Sequence, residues 1–378
     1  MKITYIVNTR MPNQRAHGFQ IAKTCEKFAE LGNDVELWHP YRINDIGDDV
    51  FAYYGLKKNF KIRVISVFDP LFLERYIGAL AFHLQSMAFF LTVFFSPIEK
   101  GRVVFTRDFM VAFLLRARGF EVVYNAHNWS GHRSFFSFLL DKKVKIVCNS
   151  EGTCAKLKDR GFENSLVARN GVEISEFTTV ESKSDIKKKL SIPADKKVIM
   201  YAGNLYRWKG VDVILEAVKL PEVKSLNAVV FIVGGDENDV EAYKKKVEEE
   251  NISGVAFSGH VLRKDIPFYL KAADVLILPN SAESEESVSY TSPIKMFEYM
   301  ASGVPIIASD LPSIREVLND RSCFFVKPDR PEELGGAISK MLSDSSLCKR
   351  IADQALLDVK KYTWDEYAKK IILFLEKN

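Results

Sequence analysis

The stretch "KVIMYAGNLYRWKGVDVILEAV" (197–218) sets the grain of the chain. Residues 197–202 form an apolar run of strand length, the kind that is buried on both faces of a parallel sheet. Gly203 then permits a tight turn, and from Val211 the apolar residues recur at helical spacing. The same strand-loop-helix unit repeats in both directions. It predicts strands at 2–7, 34–38, 61–67, 102–106, 121–125 and 144–148, then at 197–202, 228–233, 255–258, 274–278, 304–308 and 323–326. Helical patterns lie between most of them.

Alternation of this kind predicts an α/β protein with parallel, doubly wound sheets, and two sets of strands predict two Rossmann-like domains. The polar segment "EFTTVESKSDIKKKLSIPADK" at 176–196 carries no strand pattern and reads as the break. Domains are therefore expected at 1–176 and 177–360, with an amphipathic helix at 361–378 that packs on its own domain or back on the first.

The bulk properties exclude several classes. The 378 residues are 47% hydrophobic and 27% charged with net charge +4, too weak and too scattered an excess for a nucleic-acid binder. Five cysteines without a Cys-x-x-Cys pair argue for a reducing compartment and against structural zinc. "MKITYIVNTR" runs straight into a strand, so a cytoplasmic location is expected. The segment Tyr76–Phe95, "YIGALAFHLQSMAFFLTVFF", is nearly continuous in apolar residues. It reads as a buried helix, as a helix resting on the inner face of a membrane, or least readily as a span, which would break the sheet around it.

In parallel sheets, ligands bind beyond the carboxyl ends of the strands, so those loops hold the candidates. After the first strand, Gly18 precedes an amphipathic helix at 21–31, either to let backbone amides reach an oxyanion or as a plain turn glycine. His127 follows the strand at 121–125 and reads equally as a substrate ligand or a local helix cap. His132 suggests no metal pair. Gly203, Arg207 and Lys209 lie before the helix at Val211, and two cations beside a helix N-terminus suit a diphosphate. Backbone groups around His260 and Val261 are placed to pair with a base edge. In "TSPIKMFEYMASGVPIIASD", Ser292 reads as an N-cap and Pro293 as the first helical residue, with the amides of Thr291–Ile294 facing a phosphate. Glu298 lies on the face below that helix mouth, with apolar neighbours on both sides, where its carboxylate suits the two hydroxyls of a ribose.

Taken in order, "GFQIAKTCEKFAELGNDVEL", "RNGVEISEF", "YAGNLYRWKGVDVILEA", "IVGG", "FSGHV", "IPFYLKAADVLILP", "EYMASGVPIIASD" and "YTW" resemble the retaining nucleotide-sugar glycosyltransferases of group 1, family 4. That resemblance implies the GT-B fold, two Rossmann-like domains facing across a cleft, with the first on the acceptor side and the second holding the donor. It implies hexosyl transfer from a nucleotide diphosphate sugar to a hydroxyl of a glycan or lipid-linked acceptor, in surface polysaccharide or glycolipid biosynthesis. His127 would then contact the donor sugar, Arg207 and Lys209 the diphosphate, Gly18 the same diphosphate from the first domain, Val261 the base and Glu298 the ribose. The family's first glutamate, eight positions before Glu298, falls on Tyr290, with Glu283, Glu285 or Glu286 as substitutes. Asn204 stands where an arginine is common, so Arg207 inherits that work.

No Asp-x-Asp pair occurs, so metal independence and no cofactor are expected. The competing readings are a nucleotide-sugar-binding partner subunit without catalysis, an oxidoreductase whose G-x-G-x-x-G is missing, and a phosphorylase or epimerase on the same fold.

Overall fold

Residues 197–202 form a strand whose side chains feed two cores in alternation. Val198, Met200 and Ala202 enter one apolar cluster while Ile199 and Tyr201 enter another. Val275 to Leu278 and Ile306 to Ala308 repeat this split, with odd and even residues in different clusters. A period of two into two cores is what double winding requires. A computed structural model of the chain describes residues 1–44, 46–70, 74–127, 140–178 and 181–377.

The chain divides into two units, Met1–Arg169 with Trp364–Asn378, and Asn170–Thr363. In the first, strands β1 (Lys2–Ile6), β2 (Asp34–Pro40), β3 (Lys61–Ile65), β4 (Val103–Thr106), β5 (Val122–Ala126), β6 (Lys145–Cys148) and β7 (Ser165–Val167) form one sheet in the order β3-β2-β1-β4-β5-β6-β7. In the second, β8 (Lys197–Ala202), β9 (Ala228–Val233), β10 (Val255–Gly259), β11 (Val275–Leu278), β12 (Ile306–Ser309) and β13 (Phe324–Val326) follow the order β10-β9-β8-β11-β12-β13. Every pairing is parallel. The expected α/β class and all the expected strands are present; β7, three half-buried residues at a sheet edge, is the addition.

The units divide at 169/170 and 363/364, not at 176/177 and 360/361. Helix Trp364–Glu376 belongs to the first unit. There it packs against helix Ala16–Glu30: Trp364 is 1% exposed, its ring centroid 5.9 Å from that of Phe19, and Asp365 sits 3.0 Å from Lys27 Nζ.

The polar break at 176–196 is corrected as well. It contains a helix, Lys183–Lys189, whose Ser182 Oγ accepts from the Asp185 amide. Ile186 and Phe177 are buried in the second unit's core, while Lys183 Nζ reaches Asp274 at 2.8 Å. The lysine run at 186–190 reads as helix-like in the sequence, and the helix buries its one apolar residue, Ile186.

Segment 76–95 forms a short turn of helix, Glu74–Ile77, and a helix, Ala79–Phe95, separated by Gly78. No helix among the described residues is long and apolar enough to cross a membrane. Gln85 and Ser86 turn inward, while Leu80, Leu84, Met87, Leu91 and Phe95 form an exposed stripe, Met87 at 61% and Phe95 at 76%. The helix shows apolar side chains on its outer face.

Candidate functional site

In the second unit, the loops after β8, β9 and β11 meet helix Ile294–Ser302 at the carboxyl end of the sheet. The Ser281 amide donates to the Trp208 carbonyl at 3.0 Å, and the Ala202 amide donates to the Tyr299 hydroxyl at 2.7 Å. Gly203, at φ 149°, packs so closely that a Cβ there would meet Lys295 Cδ and the Tyr201 hydroxyl at 3.3 Å. A side chain would have both strain and crowding to overcome.

Lys209 lies half-buried on this loop with its ammonium over the Trp208 ring, 3.6 Å from the centroid. Desolvation lowers its pKa to about 7, with Glu286 acting in the opposite direction. Arg207 is different: its side chain is 85% exposed and pairs with Glu283 at 3.3 Å. An exposed pair of this kind contributes little.

Helix Ile294–Ser302 is buried on all sides from Lys295 onward. Its cap is not Ser292: Pro293 holds the cap position without a side-chain bond. Ser292 is instead tied by its carbonyl, which accepts from Asn170 Nδ2 at 2.5 Å, and its own hydroxyl has no partner. Thr291, Pro293 and Ile294 flank it, half-buried. Glu298 is 7% exposed and forms an ion pair with Arg263, which also approaches Glu176 at 3.3 Å. Its carboxylate is thereby held in one orientation. Val261, two residues before Arg263, is half-buried against the core.

Tyr290 is 1% exposed, and its hydroxyl donates to Glu285 Oε1 at 2.7 Å. The neighbouring acids are thus distributed: Glu283 faces Arg207, Glu285 takes Tyr290, and Glu286 acts on Lys209.

Two groups escaped the sequence reading. Lys295 is 8% exposed, and its ammonium, 3.8 Å from the Tyr201 ring centroid, makes no hydrogen bond. Asn280, directly beyond β11, is fully buried with both side-chain polar atoms unpaired. The signal for Lys295 was available: it stands among the same apolar neighbours that singled out Glu298.

In the first unit, Gly18 lies inside helix Ala16–Glu30 rather than before it, and its amide donates to the Arg15 carbonyl at 3.0 Å. A Cβ there would come within 2.1 Å of the Tyr54 hydroxyl, which bonds both the amide and the carbonyl of Asn13 at 2.8 Å. Close packing of Tyr54 is the local reason for this glycine. His127, just beyond β5, has Nε2 2.6 Å from Asn125 Oδ1 and 3.3 Å from Gln20 Nε2. His132 lies outside the described residues.

The sequence did not point to His17 and Arg42. His17 Nε2 lies 3.1 Å from Thr9 Oγ1, and burial, with Arg107 and Arg15 adding to it, lowers its pKa to about 4. It is therefore neutral at pH 7. Arg42 donates to Asn8 Oδ1 at 2.8 Å and to Gln85.

Residues 182–358 match the family model described as glycosyl transferases group 1. A D-inositol 3-phosphate glycosyltransferase of Corynebacterium urealyticum is 25% identical over 249 residues, 62% of this chain and 57% of the relative. An uncharacterized glycosyltransferase of Methanocaldococcus jannaschii is 28% identical over 216 residues, 54% of this chain and 52% of the relative. The chain spans 52% to 62% of the length of the first curated relatives it matches. An Anabaena protein crystallised with UDP and glucose superposes with a TM-score of 0.76 at 16% identity, covering 100% of both chains. That likeness extends to the fold, which is of the GT-B class.

Proposed function

We propose that this chain, whose second unit belongs to the group 1 glycosyl transferases through residues 182–358, moves a sugar from a nucleotide diphosphate sugar to a hydroxyl acceptor with retention of configuration. The observation that carries the proposal is Lys209, held half-buried at the carboxyl end of β8 in a loop that packs beside the N-terminus of helix Ile294–Ser302. A lysine and a helix N-terminus in one place favour the diphosphate of the leaving group. Glu298, oriented by Arg263, is the ribose ligand, and the backbone at Val261 faces the base.

In the reaction the bond from the anomeric carbon to the diphosphate oxygen breaks, and the acceptor oxygen bonds that carbon on the same face. The acceptor proton passes to the departing phosphate. Charge grows on the diphosphate, and Lys209 and the helix amides stabilise it without a metal, the kind of electrostatic term that dominates such catalysis. His127, set beside Asn125 and Gln20, contacts the donor sugar.

Thermal shift with UDP, GDP, ADP and dTDP, each with and without magnesium, tests the site. Stabilisation by one of them that survives EDTA, followed by release of free sugar from the matching donor, is the expected result. No response to any of them overturns the proposal. Tyr290, bonded to Glu285 at the position where the family resemblance implies a glutamate, favours one second reading, a nucleotide-sugar-binding partner subunit. Binding without any sugar release would establish that one.

The acceptor is a lipid-linked or surface glycan, and the stripe Leu80, Leu84, Met87, Leu91 and Phe95 rests on an anionic membrane surface. From Arg75 to Ile98 there is no charged residue other than Arg75, and the pairs Glu74-Arg75 and Glu99-Lys100 flank the stripe with one acid and one base on each side. An exposed apolar stripe along one helix face is a pattern of interfacial helices. The protein should sediment with vesicles containing anionic lipid, and Met87→Glu should abolish this; equal sedimentation of the variant rules out the surface.

A further inference from the structure

Lys295 has no acceptor for its charge. It is buried, its ammonium makes no hydrogen bond among the described residues, and it sits against the face of Tyr201 under the Gly203 turn. It also occupies the first turn of helix Ile294–Ser302, where the helix dipole is positive and a cation is disfavoured. The ionisable groups around it are Lys209 from the β8 loop, Tyr201 from β8 itself, and Glu298 on its own helix. Glu298 is already paired with Arg263. Burial, then the charge of Lys209, hold the Lys295 pKa well below the usual lysine range, with Glu298 opposing.

A buried cation next to a second cation and a helix N-terminus is costly for the free protein and becomes favourable once an anion arrives. We propose that Lys295 is a direct phosphate ligand of the donor, a second cation that shares the leaving diphosphate with Lys209. The acids that act here, Glu298 on Lys295 and Glu286 on Lys209, are outweighed by burial at both lysines. The inference rests on the donor-site proposal above and adds a consequence to it. Binding draws protons onto the two lysines, so nucleotide binding is coupled to proton uptake near and above neutral pH.

The test uses Lys295→Met, which keeps the stem and removes the charge, with Lys295→Arg as the conservative partner. Probes are inorganic pyrophosphate, the best-binding nucleoside diphosphate, and the same nucleoside without phosphate. Lys295→Met should lose ~10- to 100-fold in affinity for the two phosphate probes. It should bind the bare nucleoside as the wild type does, and Lys295→Arg should recover part of the loss. In the free state Lys295→Met should melt at a higher temperature than wild type.

Calorimetry on wild type in two buffers of different ionisation enthalpy gives a readout that needs no variant. It should show net proton uptake on diphosphate binding at pH 8. Unchanged phosphate affinity in Lys295→Met, or binding without proton uptake, overturns the role of Lys295 while leaving the donor site standing. A wild type that binds none of the phosphate probes overturns the donor site, and this inference with it.

Discussion

The carboxyl ends of the two sheets are furnished differently. In the first unit, polar side chains at the strand ends find one another: Arg42 with Asn8 and Gln85, His17 with Thr9, His127 with Asn125 and Gln20. In the second unit, side-chain atoms of Lys295, Asn280 and Ser292 are buried with no hydrogen-bond partner among the described residues. Within the first unit's cluster just named, only Nε of Arg42 shares that condition. Unpaired buried polar atoms are rare in folded proteins and carry a cost that calls for an explanation. The contrast teaches a division of labour. One sheet end is a preformed hydrogen-bonding surface suited to neutral hydroxyls. The other gathers two buried or half-buried lysines, Lys209 and Lys295, at one helix mouth.

The largest effect should fall on the packed side. Trp364→Ala removes a 1% exposed indole that packs against Phe19 and Tyr367, at a cost of about 3–5 kcal/mol of stability in denaturant unfolding. Nucleotide affinity of the protein that remains folded should be unchanged. A parallel loss of affinity would break the division between the units.

Lys209→Met comes next and should lower donor turnover by ~10²-fold. Its effect on the free protein has a definite sign. The folded pKa, about 7, lies below the ordinary lysine value of 10.5, so the folded state carries a penalty in full below pH 7. As pH rises from 7 towards 10.5, the unfolded chain holds the extra proton and wild-type stability rises. Lys209→Met should therefore be more stable than wild type at pH 6 and lose that advantage by pH 10, read as melting temperature against pH. A flat difference would mean the ammonium is solvated.

Nucleotide affinity of the wild type should fall as pH rises through about 7, since the anion needs the charged lysine. Titration by calorimetry at pH 6.5 and 9 checks this. The smallest effect belongs to Arg207→Ala, which should change donor affinity less than ~3-fold because its exposed guanidinium is screened. A larger loss would show that Arg207 leaves Glu283 to join the diphosphate.

Much of this was legible in the chain. β8, β11 and β12 announce themselves because burial on both faces demands unbroken apolar runs. β7, only "SLV" and half-buried, leaves no such trace, and helix Lys183–Lys189 hides one buried Ile186 among lysines. Position beyond the strands names the loop candidates, but it does not reveal their burial or their partners. Exposure separates Arg207 from Lys209, two residues apart, and depends on Trp208 folding over one of them. The sequence leaves Gly18 open between an oxyanion approach and a turn glycine, because Tyr54, from a distant segment, cannot be seen locally. Lys295 stands among the same apolar neighbours as Glu298, and the tertiary fold buries it to 8% exposure.

One feature of the connectivity bears on how the molecule is made. The first unit is closed by helix Trp364–Glu376, yet residues 170–363 of the second unit are translated in between. Domains emerging from a ribosome generally fold in order, the earlier one first. Here the earlier sheet must wait, with the face of Phe19 that packs on Trp364 uncovered, until the later unit has been synthesised. The nascent chain completes its second half before its first, and in that interval the early unit is the one most in need of a chaperone.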